Sequence, residues 1–384
     1  MTDSSLELKS PRMLLIGAAG RNAGKTFLAC TLLRRFAGER DIFGVKITPI
    51  DKVVRGCPHG RTDCDVCATL KGNFEIAEET DPIPQKDTCK SLAAGAKHVF
   101  WMRVLKVHLR QGAAALLDKM GPAAICICES NSLRTVIEPG LFVMVKNPGV
   151  DDIKPSSEEV ARHVDRLILF DGNNFNIDLD DFALTENGWT LKMDATAIIM
   201  AGGDSRRMGC DKSMLPIGGK PMIQHVYEQI RPWFKEILIS SNDAPAHGFL
   251  GLPIVPDRQK GHGPLMGIAS AMEASTYDRN FVIACDIPSL DTSLMLKMLR
   301  ESAGFDAVVP RLTKSKYEPL FAVYRKSMIG TINDLLTAGE RKVDRIYDLC
   351  KIKYIDLAQD NFLDNINTMQ DYRELSGNKK DIGV

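Results

Sequence analysis

The sequence predicts an α/β fold in two domains, and three observations carry that reading. At 384 residues the chain is too long for one ordinary domain and suits two of about 190. An apolar run, Met13 to Ala18, leads into Gly17-Ala18-Ala19-Gly20-Arg21-Asn22-Ala23-Gly24-Lys25-Thr26, and apolar residues then recur at helical spacing from Phe27 to Phe36. A second run, Thr196 to Met200, stops at Ala201-Gly202-Gly203 and is followed by Arg207, Asp211 and Lys212; a helical stretch then runs from Pro221 to Trp233. Strand, glycine turn and helix, met twice, is the opening of a phosphate-binding unit, because glycines let backbone N–H groups approach a small anion.

Composition limits what such a chain does. Hydrophobic residues make up 44% and charged residues 26%, with 49 Lys and Arg against 49 Asp and Glu. A net charge of zero argues against a general binder of nucleic acid or of anionic membrane. No stretch of 18 apolar residues occurs, and MTDSSLELKSPR has acids where a secretory signal carries an apolar core. The expected location is cytoplasmic. Ten unevenly placed cysteines suit a reducing compartment rather than a disulfide framework.

In the first half, Gly24-Lys25-Thr26 stands where a P-loop needs it. Backbone donors there cradle phosphates, Lys25 reaches the outer ones and Thr26 can ligate Mg²⁺. The usual first glycine of the motif is Ala19, with Gly20 beside it. Strands are expected at Phe43 to Pro49, which carries Lys46, at Val99 to Val104 and at Ala124 to Cys128; the last ends in Glu129, an acid placed as a Walker-B acid would be. Between them Cys57, His59, Cys64 and Cys67 fall within eleven residues, spacing that suits Zn²⁺ first and a Cys-ligated iron–sulfur centre second; free thiols in a loop are the plain alternative. Alternation from Asn176 through Leu191, interrupted at Glu186-Asn187-Gly188, predicts a hairpin whose Asp178, Asp180 and Asp181 lie on a solvated face. The boundary is expected near Lys192 to Ala195, giving domains of 1–193 and 194–384.

In the second half, Glu236 to Ser240 and Leu252 to Val255 read as strands, and Gly263-Pro264-Leu265 opens a helix with its amides facing outward. Phe281 to Cys285 reads as a central strand ending at Asp286, where open α/β sheets bind ligands; one such carboxylate suffices for Mg²⁺, which takes its other ligands from phosphate and water. A capping role for Asp286 ahead of a helix from Asp291 to Arg300 is the plain alternative. Strands are expected again at Asp306 to Pro310 and Glu318 to Tyr324, with Arg311, Lys314 and Lys316 between them, and a last helix at Thr368 to Leu375.

Met200-Ala201-Gly202-Gly203-Asp204-Ser205-Arg206-Arg207-Met208-Gly209, followed by Asp211-Lys212, resembles the signature of the Rossmann-like nucleotidyltransferases, most closely the molybdenum cofactor guanylyltransferases. Met200 replaces the family's Leu. The first half resembles the P-loop GTPase adaptor of molybdopterin-guanine dinucleotide synthesis through Gly24-Lys25-Thr26, Lys86-Asp87-Thr88, Ala94-Gly95-Ala96 and Glu129, with Ser130 where that family continues in Gly. These resemblances imply an N-terminal P-loop NTPase-like α/β domain and a C-terminal Rossmann-like nucleotidyltransferase domain. They imply Mg²⁺-dependent transfer of GMP from GTP to molybdopterin, free or bound to molybdenum or tungsten, with pyrophosphate released. Arg207, Lys212 and Asp286 take the catalytic roles; Met200, Ala201, Gly202, Gly203, Asn242, Asp257, Gly263, Pro264 and Leu265 the nucleotide; Glu318, Asn365 and Asn367 the second substrate. The implied recipients are apo-molybdoenzymes or tungstoenzymes and their chaperones. Two other functions compete: a cytidylyl or sugar-phosphate nucleotidyltransferase, and a cofactor-delivery chaperone with an inactive transferase half.

Overall fold

The computed structural model describes residues 8–51, 70, 72–83, 86–150, 154–202, 211–313 and 316–357, and it divides into two compact units, Met1–Leu191 and Lys192–Val384. The first unit is built on β1 (Leu8–Ala18), β2 (Ile42–Ile50), β3 (Phe74–Glu78), β4 (His98–Leu105), β5 (Ile125–Glu129), β6 (Ile137–Lys146) and β7 (Arg166–Leu169). They form one sheet in the order β3-β4-β2-β5-β1-β6-β7, parallel throughout except for β3. Its central strands bury both faces: Leu14 and Ile16 pack on one side, Met13 and Leu15 on the other. That is why they read as unbroken apolar runs rather than alternating ones. The helix Lys25–Phe36 follows β1 directly and supplies Leu28, Leu32 and Leu33 to the first of these layers.

A small hairpin of β8 (Phe182–Thr185) and β9 (Gly188–Leu191) ends the unit. It is shorter than the alternation from Asn176 suggests. Asp178 instead caps a single 3₁₀ turn, Leu179–Asp181, by accepting from the Asp180 N–H. The expected solvated face also needs correcting, since Asp181 is only 6% exposed. Asp180 does face outward and pairs with Arg35 at 2.6 Å.

The second unit carries β10 (Met193–Met200), β11 (Pro216–Ile217), β12 (Lys220–Pro221), β13 (Phe234–Ser240), β14 (Ile254–Val255), β15 (Arg279–Ala284), β16 (Ala307–Thr313), β17 (Lys316–Tyr317), β18 (Phe321–Arg325) and β19 (Ile352–Asp356). All but the β11–β12 ribbon join one sheet, in the order β14-β13-β10-β15-β18-β16-β17, with β19 against β16. Strands β14, β13, β10 and β15 run parallel, whereas β18 is antiparallel to β15. Again the core lies on both faces, Ala197 and Ile199 on one and Ile198 and Met200 on the other.

Several boundaries differ from expectation for local reasons. The helix expected at Pro221 to Trp233 is Met222–Ile230, with Pro221 as its cap, and Pro232 has no N–H to continue it. Proline also shortens the strand expected from Leu252 to Ile254–Val255, because Pro253 offers the ladder only its carbonyl, which accepts from Ile239. Glu318, expected to begin a strand, lies in a turn before Phe321–Arg325. The helix after Asp286 begins at Thr292 and is capped by Asp291, whose side chain accepts from the Leu294 N–H. Asp286 is therefore free of the capping role. Cys57, His59, Cys64, Cys67, Gly203, Arg207, Lys314, Asn365, Asn367 and the expected Thr368–Leu375 helix lie outside the described residues. Among the described residues no helix is long and apolar enough to cross a membrane, and no group of three His, Cys, Asp or Glu is placed to hold a metal ion.

Candidate active site

In the second unit, parallel pairing brings four strand ends into line. Met200 lies beside Ser240 on one side and Ala284 on the other, and Ser240 lies beside Val255. Two residues past these ends stand Gly202, Asn242, Asp286 and Asp257, in that order. The chain leaves β10 for β13 on one flank and crosses to β15 on the other, so a crevice opens at the strand ends where the order reverses. The sheet is stitched there by backbone bonds from the Ala201 N–H to Ser240 and from the Cys285 N–H to Met200.

Asp286 and Lys212 meet in this crevice, Lys212 Nζ lying 3.7 Å from Asp286 Oδ2 with each side chain about one-fifth exposed. Burial pushes the Asp286 carboxyl above the usual carboxylate range, while the Lys212 ammonium pulls the other way. A carboxylate partly stripped of water beside a cation is ready to take a second positive partner. Lys212 begins a 3₁₀ turn, Lys212–Met214, capped by Asp211, which accepts from the Ser213 N–H at 2.9 Å. Across the crevice Asn242 and Asp257 hold each other: the Asn242 amide donates to Asp257 Oδ2 at 2.8 Å, and the Asp257 N–H donates to Asn242 Oδ1 at 3.0 Å.

The helix Gly263–Ala274 enters the same edge, and its first residue takes φ +72°, a left-handed turn that glycine adopts without strain. Gly267, one turn on, passes so close that a Cβ there would lie 2.8 Å from Ser240 Oγ and 3.2 Å from Asp257 Oδ1. Of the expected nucleotide contacts, Leu265 is buried entirely, packed with Ile198 and Met200, and presents no exposed surface to a ligand. The structure thus brings together Met200, Ala201, Gly202, Lys212, Asn242, Asp257, Gly263, Pro264 and Asp286, with Glu318 in the turn before β18.

The first unit has its own strand-end site. Gly24 takes φ +97°, and a Cβ on it would strike the Phe170 ring at 2.4 Å. Thr26 Oγ1 donates to Glu129 Oε2 at 2.7 Å. Register sets Glu129 directly beside Lys46, and the Lys46 ammonium is hydrogen-bonded to Asp87. Burial raises the Glu129 carboxyl and lowers the Lys25 ammonium, each opposed by the other's charge. Asn131 clamps the end of β1 by accepting from the Ala18 N–H and donating to the Ala18 carbonyl. Neither Asn131 nor the pairing of Lys46 with Asp87 follows from the sequence reading, although Asp87 belongs to the Lys86-Asp87-Thr88 motif and Lys46 stands out inside an otherwise apolar strand.

A mixed sheet whose parallel strands end beside a carboxylate, with a lysine facing it and a glycine turn alongside, suits a nucleotidyltransferase. Comparison with known proteins narrows the class. A family model described as a MobA-like NTP transferase domain matches residues 197–353. A protein of Carboxydothermus hydrogenoformans named a probable molybdenum cofactor guanylyltransferase is 34% identical over 187 residues, 47% of this chain and 94% of its own length. A molybdenum cofactor guanylyltransferase of Shewanella loihica is 35% identical over 185 residues, 47% of this chain and 94% of its own. The solved molybdopterin-guanine dinucleotide biosynthesis protein A of Archaeoglobus fulgidus is 24% identical, with a TM-score of 0.43, over 49% of this chain and all of its own. Through its second half, the chain belongs to the molybdenum cofactor guanylyltransferase family.

Proposed function

We propose that the second unit transfers the guanylyl group of GTP to the terminal phosphate of molybdopterin, free or carrying molybdenum or tungsten, with pyrophosphate leaving. The observation that carries this is the Lys212–Asp286 pair at the line of strand ends, in a chain of this family. A phosphate monoester is largely ionised near neutrality, so the reaction asks for charge stabilisation and in-line positioning rather than a strong base. Lys212 neutralises charge on the α-phosphoryl group and the departing pyrophosphate, and Arg207 is assigned the same work on sequence grounds. Asp286 suits Mg²⁺, since its carboxylate is partly desolvated yet reachable and that ion takes few protein ligands. When bound, Mg²⁺ supplies positive charge to the phosphates.

The turn after Met200 and the exposed start of the helix at Gly263 and Pro264 receive the nucleotide, and the mutual clamp of Asn242 and Asp257 fixes its nucleoside end. Glu318, Asn365 and Asn367 are assigned to the pterin side. Residues 1–193 form a P-loop GTP-binding adaptor domain fused to this enzyme at residue 194. In its support, Gly24 has the left-handed backbone of a phosphate cradle, and Thr26 and Glu129 offer paired oxygens to Mg²⁺. The test is transfer of label from α-labelled GTP, with CTP in parallel, to molybdopterin. Guanylated product from wild type and none from Asp286→Ala supports the reading; no product with either nucleotide overturns it.

A further inference from the structure

We propose that the first unit takes a nucleoside triphosphate with its base stacked on the Phe27 ring, so that an aromatic platform beside the glycine turn forms the nucleoside end of that site. The inference rests on the reading of Gly24-Lys25-Thr26 as a phosphate cradle. An exposed phenylalanine by itself calls for no explanation. Phe27 differs in what lies behind its ring and in what precedes it in the chain. It is 51% exposed. Yet its ring lies over two others, 5.3 Å from Phe170 at an interplanar angle of 27° and 5.7 Å from Phe175 at 36°.

The two rings beneath are held by backbone structure. Phe170 continues β7, its N–H donating to the Lys146 carbonyl at 2.9 Å, and it forms an antiparallel bridge with Phe175. Asp171 closes the turn between them by accepting from the Asn173 and Asn174 N–H groups at 2.8 and 2.7 Å. The Phe170 and Phe175 rings stack on each other at 4.6 Å, Phe170 buried and Phe175 partly so. A Phe27 ring backed in this way needs little ordering when another flat ring arrives, so stacking is gained at small entropic cost.

The platform adjoins the cradle directly. Phe27 is the third residue of the helix Lys25–Phe36, whose first bond runs from the Leu28 N–H to the Gly24 carbonyl, so the N–H groups of Lys25, Thr26 and Phe27 lie at the open helix end. Gly24 rests against the same rings, since the Cβ it lacks would strike Phe170. Charged and aromatic groups fall on opposite flanks of β1. Glu129 and Lys46 stand on β5 and β2, on one side of it in the sheet, whereas Phe170 and Phe175 follow β7 on the other. A nucleoside triphosphate has the same polarity, anionic at one end and flat at the other. It fits one way round, with its outer phosphates by Lys25 and Thr26 and its base on Phe27.

Tripolyphosphate, which carries no base, separates the two ends of the site. In calorimetric titrations of the full chain, with Lys25→Met marking the first-unit site, Phe27→Ala should weaken GTP binding there about tenfold, within the range for loss of one base stack. Tripolyphosphate binding should be unchanged, and Phe27→Tyr, which keeps the ring face, should restore GTP binding. Equal losses for both ligands would trace the effect to a damaged helix start, and unchanged GTP binding would show that the base lies elsewhere; either result overturns the proposal. In Phe27→Trp, GTP should quench the fluorescence added to that of Trp101, Trp189 and Trp233, and tripolyphosphate should not. No quenching by GTP also overturns the proposal. If neither ligand shows a Lys25-dependent site, the phosphate-cradle reading falls and takes the proposal with it. That outcome is distinct from Lys25-dependent GTP binding that ignores Phe27, which overturns the proposal alone.

Discussion

Both units place an acid at the carboxyl end of a parallel strand, yet the two acids live differently. Glu129 is 5% exposed, already accepts from Thr26, and faces Lys46, which is itself engaged by Asp87. Asp286 is about one-fifth exposed and has Lys212 only at 3.7 Å. A site that retains a nucleotide gains from partners set before it arrives, since less ordering is left to do on binding. A site that must admit two substrates and release pyrophosphate at each turnover needs its carboxylate within reach. The geometry of the second site suits catalysis, and that of the first suits retention.

The largest effect should therefore come from Asp286. Asp286→Asn keeps the shape and removes the charge, and we expect kcat for transfer to fall by about 10³ or more, the upper range for losing a preorganised electrostatic group. Steady-state rates with α-labelled GTP measure it, and retention of a tenth of the activity would break the comparison. Lys212→Met should cost about 10² in kcat. If instead only KM rises, Lys212 binds substrate and transition state alike and does not stabilise charge in the reaction.

Lys25→Met sharpens the contrast between the halves. On the proposed reading of the first unit it should lower GTP sites per chain from two to one, read by equilibrium binding to a transfer-dead Asp286→Asn background. Transfer itself should change by no more than about twofold, because the two sites share no residue. A parallel collapse of transfer would show that the first unit takes part in the chemistry.

Much of this was legible in the sequence because strand ends and glycine turns leave strong local marks. Met200-Ala201-Gly202, Asp286 and Gly24-Lys25-Thr26 follow apolar runs directly, and chain order alone places them. What the sequence hid depends on pairing across the sheet. The mutual clamp of Asn242 and Asp257 spans two strands whose register no local pattern announces. Lys46 finds Glu129 only because β2 and β5 pair in that register. Asp181 has the composition of a solvated turn, yet it ends its 3₁₀ turn buried. The Cys57 to Cys67 cluster, legible as metal-ligand spacing, lies outside the described residues and rests on sequence alone.

The smallest predicted effect is also the most specific to the first unit. Burial raises the Glu129 carboxyl above its unfolded value despite Lys46, Thr26 and Lys25. A raised carboxyl binds its proton more tightly in the folded chain, so its contribution to stability is greatest in acid and is lost as pH rises through the interval between the unfolded and folded values. Glu129→Gln removes that loss while leaving a carbonyl oxygen for the Thr26 hydroxyl. Melting temperatures of the two proteins, measured across pH, should coincide where Glu129 is protonated, because the lysines then face a neutral group in both. Toward neutrality the variant should melt about 2–4 °C higher, a gap that corresponds to about 1 kcal/mol in a unit of this length. A gap of the same size at every pH would trace the effect to packing, and a lower melting temperature for the variant at neutrality would mean that Lys25 and Lys46 more than compensate the buried charge.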